Sequence, residues 1–422
     1  MKKIAKVLVV AGIAASLASF AAGQIFTLTQ VPNSSPNTPT AINNLGQVVV
    51  DSSTVTGNSV SLWNRLGGAE SLDLTGANNV GAALNGANDV VGASDPNGSG
   101  KIQAFLWQPG GNTTYLGTLG GVLSAASGVN AARDVVGMSH TAASLQHAFF
   151  WTSASGMQDL TPNLTSAGGA TAMAINTAGE VVGYYYPNGA SNVVGFSWTQ
   201  AGGLQSFGAP GTLVFAVNDG GTIVGQQLTA RGYRHAFSYT QAGGMADLGT
   251  LGGDMSTALA INNKGWIVGT SLTGDESGVL HGFLWTPSGG MQDLTALSRL
   301  SAGKQPYSLS VNDYGDIALT TKDLLTVLLP NMTVTPVSSP NPSTVGQAIT
   351  ITTTLTSIAG PPPDGETLQC AGGGVTVVST LKSGVAKCTI SGLKAGTHKI
   401  NVSYGGDAYY HSSQSSFTQV VN

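Results

Sequence analysis

The sequence predicts an all-β chain: a seven-bladed β-propeller followed by a small Ig-like β-sandwich. Three observations predict it. A phrase built on Asn recurs seven times, at spacings of 42 to 50 residues. A second phrase, ending on an aromatic residue, keeps step with it six times. The tail beyond residue 330 breaks that period and alternates apolar with polar residues.

The Asn phrase is a small or apolar pair followed by Asn. It reads Ala41-Ile42-Asn43, Ala83-Leu84-Asn85, Gly128-Val129-Asn130, Ala174-Ile175-Asn176, Ala216-Val217-Asn218, Ala260-Ile261-Asn262 and Ser310-Val311-Asn312. A short turn and a Val-Val-Gly-like run follow. The aromatic phrase closes on Trp63, Trp107, Trp151, Trp198, Tyr239 and Trp285. A third phrase follows a Gly-rich turn, as in Gly156-Met157-Gln158-Asp159-Leu160 and Gly290-Met291-Gln292-Asp293-Leu294. Short runs of β-formers punctuated by Gly and Asn are strand and hairpin signals. Four antiparallel strands in ~40–45 residues is the size of one propeller blade. Helical repeats fail on composition. Charged residues are only 9% and Gly accounts for 59 of 422 residues, which suits tight turns.

The last repeat is incomplete. After Asn312 the aromatic phrase is replaced by Leu324–Leu329, and Pro330 ends the pattern without a fourth strand. A spare run of that kind, Ile25-Phe26-Thr27-Leu28-Thr29, precedes the first Asn phrase. Joining the two closes a ring of seven over residues 24–330 and leaves no open edge between first and last blades. Within a blade, the small first strand suits the crowded axis, and third-strand Phe and Trp fill the space between blades. The Asn is expected to hydrogen-bond its own turn, and the recurring Gly to supply positive φ. The recurrent Asp (Asp73, Asp159, Asp247, Asp293) is expected to cap a local turn, with cation ligation as the alternative.

Residues 1–23 read as a secretory signal. Lys2, Lys3 and Lys6 precede an Ala-rich apolar run, and Ser19-Phe20-Ala21-Ala22-Gly23 supplies small residues for cleavage after Ala21 or Gly23. The run is shorter than the ~20 residues that span a bilayer. An extracellular or cell-surface protein with no membrane span after signal removal is expected.

At this point the repeats show a family resemblance. The phrases His147-Ala148-Phe149 and His235-Ala236-Phe237, with the variants His281-Gly282-Phe283 and Gln103-Ala104-Phe105, resemble the HAF (His-Ala-Phe) family of extracellular repeats. The run Asp247-Leu248-Gly249-Thr250-Leu251-Gly252-Gly253 belongs to the same pattern. The resemblance covers about residues 25–330. It implies an exported bacterial protein and no particular reaction.

Residues 331–422 are expected to form the sandwich. Pro336, Pro340 and Pro342 mark the joint, and strands are predicted over 348–355, 374–378, 386–390 and 398–404. The run from Leu393 to Tyr410 resembles bacterial Ig-like repeats. The two cysteines, Cys370 and Cys388, lie here. In an exported chain such a pair reads as a disulfide, with two buried thiols as the alternative. Zinc would need more ligands at characteristic spacing.

No catalytic constellation, metal site or cofactor motif is evident. The net charge of −4 excludes a surface that neutralises runs of phosphate. His147, His235 and His281 head the aromatic phrase, one per blade, as parts of the repeat. Gly-rich runs do not precede helices, so a phosphate cradle is not expected. Loops between second and third strands vary most, and variable loops on a rigid scaffold carry binding. Tyr184, Tyr185 and Tyr186, with Tyr233 and Arg234 one blade on, are the candidate ligand contacts. Aromatics beside an Arg suit sugar or peptide. The alternative is that alternate Tyr continue the second strand and pack between blades. The expected function is non-catalytic binding of an extracellular polysaccharide or surface protein. The alternative is a hydrolase or lyase acting on extracellular polysaccharide or peptide, favoured by two or three carboxylates converging at one channel mouth. A purely structural component is the third reading.

Overall fold

The computed structural model describes residues 26–31, 34, 41–54, 57–65, 67–165, 168–274, 278–298, 300, 305–322, 325–407, 410 and 412–422. The signal segment predicted over 1–23 lies outside the described residues. Seven antiparallel sheets follow one another along the chain. Blade 1 spans 41–71, blade 2 77–115, blade 3 120–159, blade 4 170–207, blade 5 213–247 and blade 6 252–293. Blade 7 takes three strands from 306–330 and its outer strand from Phe26–Gln30. Six blades have four strands. In blade 1 the described end of the first strand, Ala41-Ile42, joins the sheet through an Ile42–Val48 bridge and a Val49 N–H to Ala41 O bond of 3.1 Å.

The ring closes as the incomplete last repeat requires. Phe26 pairs with Pro330, Leu28 with Leu328 and Gln30 with Thr326. Phe26 is wholly buried in a cluster with Leu294, Leu309 and Leu328. The third-strand Phe105, Phe149, Phe196, Phe237 and Phe283 are likewise buried. Aromatics also pair across blade seams: Phe150 with Trp198 at 5.1 Å and Phe207 stacked on Tyr239 at 4.4 Å.

The Asn series does more than hold its own turn. Each Asn does accept from its turn: Asn85 Oδ1 receives the N–H groups of Ala87 and Asp89 at 2.9 and 3.0 Å. But each Nδ2 also donates to the backbone carbonyl of the next Asn around the ring. The links run Asn43 to Asn85, then to Asn130, Asn176, Asn218, Asn262 and Asn312, and from Asn312 back to Asn43, all within 2.8–3.4 Å. In four blades the second amide proton meets a carboxylate four residues on: Asp89, Asp134, Glu180 or Asp316. All four hydrogen-bonding positions of such an Asn are then filled, as burial demands. Burial raises the Glu180 carboxyl above its ordinary value, against the Asn176 bond that lowers it.

Two expectations need correction. The turn glycines, such as Gly179 and Gly265, do have positive φ. The glycine of Val-Val-Gly has a different task. A Cβ on Gly92, Gly137, Gly183, Gly225 or Gly269 would collide with a first-strand carbonyl and a Phe ring. Each faces a bulge in the first strand. Blade 7 has its bulge elsewhere and carries Leu319 at this position. The second correction concerns Asp73. Ser71 takes the place that Asp159, Asp247 and Asp293 occupy in other blades, opposite the third strand. Asp73 lies beyond it with φ of 48°.

The tail forms two sheets, one of Thr333–Ser339, Ile349–Thr356 and Val385–Ile390. The other contains Val375–Thr380, Thr367–Gly372, Gly396–Tyr404 and Ser413–Val421. Pro336 lies inside the first strand of this module rather than in the joint. That strand is a sheet edge, where a missing N–H costs no ladder bond. Cys370 and Cys388 are bonded across the two sheets, with Cα atoms 6.3 Å apart. A loop of that size predicts that reduction removes about 3 kcal/mol from the module. Denaturant melting with and without reductant measures it, and the propeller transition should stay in place. Among the described residues, one short helix, Leu294–Ser298, interrupts the all-β pattern. Asp293 caps it, accepting from the N–H groups of Thr295 and Ala296 at 2.9 and 3.2 Å.

Candidate ligand site on the loop face

Strand direction alternates within a blade, so the Asn turns share one face with the turns between third and fourth strands. The second-to-third loops and the blade-to-blade crossings share the other. The Ig-like module sits on the turn face. Lys264 Nζ donates to Ala359 O at 2.8 Å, and Arg65 Nη2 to Asp407 O at 2.6 Å. Gly315, with φ of 82°, lies so close to Trp266, Ala359 and Pro330 that a side chain there would meet all three. These contacts join the module to blades 1, 6 and 7.

The loop face carries a cavity of about 380 Å³ at the seam of blades 3 and 4. Its walls are Leu160, Thr161, Pro162, Asn163 and Leu164 of the crossing between these blades, with Tyr185, Pro187, Asn188 and Leu204 of blade 4. No wall residue carries a charge, which favours uncharged ligands. The Tyr185 ring tilts against Phe196 with centroids 6.3 Å apart, and its hydroxyl lies 2.9 Å from Ser206 Oγ. The ring is therefore held in one orientation. Asn188 ties the two loops together. Its Oδ1 accepts from Thr165 N–H at 2.7 Å and its Nδ2 donates to Asn163 O at 3.0 Å. His147 holds the crossing from beneath, Nε2 lying 3.1 Å from Leu164 O and Nδ1 2.8 Å from Asp159 Oδ2.

Of the five candidate residues, Tyr185 lines this cavity. Tyr184 adjoins it on the opposite side of the same strand. Tyr186 packs over Gly168. Tyr233 stands at a hairpin tip, 43% exposed. Arg234 Nη1 donates to Gly211 O at 3.0 Å. The two halves of the expected cluster are thus engaged separately. Sequence reasoning missed the wall formed by Leu160–Leu164. Its signal was length: the crossing between Asp159 and Ala170 is more than twice as long as those after Tyr115 and Asp247.

The His-Ala-Phe histidines each pair with the Asp twelve residues on. Nδ1 lies 2.8 Å from Asp159 for His147, and 2.9 Å from Asp247 and Asp293 for His235 and His281. The same Asp caps its turn, Asp159 accepting from Thr161 N–H at 2.8 Å and Asp247 from Gly249 N–H at 2.8 Å. Among the described residues, no group of three or more His, Cys, Asp or Glu could hold a metal ion. On the turn face, Asp219 and Asp313 both accept from Asn263 Nδ2, at 2.9 and 3.1 Å. Burial pushes the Asp219 carboxyl up, but bonds from Thr177 and Asn263 outweigh it and hold it below its ordinary value.

Residues 335–422 match the bacterial Ig-like domain (group 3) family. No curated protein sequence matches the chain. Among solved structures, a streptogramin B lyase aligns with 72% of this chain and 98% of its own, at 16% identity and a TM-score of 0.50. A gluconolactonase from Xanthomonas campestris aligns with 74% of this chain and 92% of its own, at 13% identity and a TM-score of 0.41. The extracellular domain of a hybrid two-component system from B. thetaiotaomicron aligns with 94% of this chain and 59% of its own, at 8% identity and a TM-score of 0.48. The first of these shows the propeller fold and nothing about function.

Proposed function

We propose that the chain is an exported, non-catalytic HAF-repeat protein that binds an uncharged extracellular ligand, of polysaccharide or surface-protein origin, on its loop face. The cavity at the seam of blades 3 and 4 carries this reading. It presents a fixed tyrosine ring among Leu and Pro side chains, on the face that the Ig-like module leaves uncovered. Aromatic and apolar walls with a few placed polar groups are what small-ligand sites use. Export rests on the signal-like residues 1–23. Among the described residues no helix is long and apolar enough to cross a membrane. The His–Asp pairing gives the His-Ala-Phe phrase a structural job.

A glycan array probed with the full-length mature chain tests the reading. A neutral glycan should bind, and Tyr185→Ala should weaken it at least tenfold while the melting profile stays cooperative. Glycan arrays and surface-protein pull-downs both without a hit, or a hit indifferent to Tyr185→Ala, would overturn it.

The second reading, an enzyme of the hydrolase or lyase type, draws on Asp219 and Asp313 meeting at Asn263. Their oxygens are occupied within the turns, and the lowered Asp219 is ill suited to act as a general acid. Asp313→Asn with unchanged turnover of any identified substrate would dispose of it.

A further inference from the structure

We propose that the Ig-like module carries a self-pairing edge: the strand Val375–Thr380 docks the same strand of a second copy of this chain, antiparallel about Val378. This strand ends its sheet, with Thr367–Gly372 as its neighbour on one side. The turn that joins the two is Gly373-Gly374, with φ of 59° and 83°. Positive φ at both central residues makes a type I′ turn, so Gly372 and Val375 exchange both backbone bonds. Exchange then alternates along the register. Val377 bonds with Cys370 and Ser379 with Leu368, while Thr376, Val378 and Thr380 turn their N–H and C=O groups away from the sheet. Leu381 N–H donates to Glu366 O at 2.7 Å, which continues the same alternation. The outward groups have no backbone partner among the described residues.

The module's other edges are blunted. Thr333–Ser339 carries Pro336, and Val385–Ile390 carries the exposed Lys387. The end of Ser413–Val421 is covered: Val420 N–H donates to Asn341 Oδ1 at 3.0 Å, and Ser343 N–H to Val420 O at 2.9 Å. Proline, lysine and covering segments are what keep sheet edges from pairing. Val375–Thr380 contains no Pro, no Gly and no charged residue.

The sequence of the edge selects the occupant. Its outward-bonding residues read Thr-Val-Thr, the same in both directions about Val378. Antiparallel pairing sets Val378 against Val378 of the second copy, and Thr376 against Thr380. Every facing pair then exchanges two backbone bonds. Val378 is 61% exposed, and Thr376 and Thr380 are exposed on the same face, so the pairing covers the valine and matches β-branched residues. The strand is uncharged, so two copies meet there without like-charge repulsion, although the chain as a whole carries −4. Pairing about Val377 instead would oppose groups already bonded within the sheet. One strand pair lies well below the roughly 1,200 Å² of a stable interface, so the dimer is weak, with half-association near about 0.1 mM. It joins two loop-face cavities in one assembly, which raises avidity for a repeating ligand.

Sedimentation velocity of the full-length mature chain, from about 5 to about 500 µM, tests the pairing. The average mass should rise toward a dimer and stop there, since each module offers one such edge. Val378→Pro removes an outward N–H and no bond within the sheet, and Val378→Lys sets two cations together. Each should weaken association at least tenfold. Val345→Lys, at another exposed valine away from this strand, should leave it unchanged. A chain that stays monomeric throughout, a dimer that tolerates Val378→Lys, or one broken equally by Val345→Lys would overturn the proposal. Should Val378→Pro fail to fold, Val378→Lys decides, because its side chain points to water.

Discussion

Asn85→Ala should destabilise the propeller by about 3–5 kcal/mol, among the largest effects of any polar substitution in the chain. Four partners lose a bond together: the N–H groups of Ala87 and Asp89, the Asn130 carbonyl and the Asp89 carboxylate. Asn85 is 6% exposed, so water does not simply replace the side chain. Asn85→Asp separates the two kinds of bond. It keeps the acceptor for the turn and loses both donors. It also sets a carboxylate against Asp89 and a carbonyl. Asn85→Asp should therefore match the alanine variant near neutral pH and recover in part toward pH 4, where the new carboxyl protonates. Urea unfolding followed by tryptophan fluorescence measures both. A loss below about 1 kcal/mol in Asn85→Ala would mean that the inter-blade links contribute little.

That ring marks where sequence reading stops. Seven copies of the Asn phrase set the blade count, because self-similarity survives without any knowledge of contacts. The Asn could be assigned to its own turn, because that bond spans two to four residues. Its second bond spans 42 to 50 residues in six links and 269 in the seventh, from Asn312 to Asn43. No local rule predicts an acceptor on the neighbouring blade. The Val-Val-Gly glycine failed for a related reason. Its cause is a collision with the adjacent strand, invisible from its own dihedral preference. The site was readable only in part. Tyr185 stood out as an aromatic in a variable loop. The crossing from Leu160 to Leu164 looked like ordinary connection, and its walls became visible only when two blades met. The His–Asp pairs lay between these cases. The twelve-residue offset recurs three times in the sequence, but its meaning depends on third and fourth strands lying side by side.

Phe26→Ala should cost about 3–5 kcal/mol, because the ring of Phe26 is wholly buried where blades 6 and 7 meet. Removing residues 26–30 should do far more. The last strand, Leu325–Pro330, is buried at every position and would become an open apolar edge. Its partner strand is the first of the propeller to leave the ribosome, whereas Leu325–Pro330 is the last. The pairing of Phe26 with Pro330 therefore cannot form until the whole wheel has been made. Contacts of such separation raise the loop-closure cost and slow folding. The truncated chain should populate a partly open state that binds a hydrophobic dye, exposes blade 7 to protease and aggregates on warming. Supplying residues 24–31 as a free peptide should restore protection of 325–330, since the groove would accept a strand of the same sequence. A truncated chain that melts cooperatively at the full-length temperature, with 325–330 still protected, would show that the wheel is held shut by the asparagine ring alone.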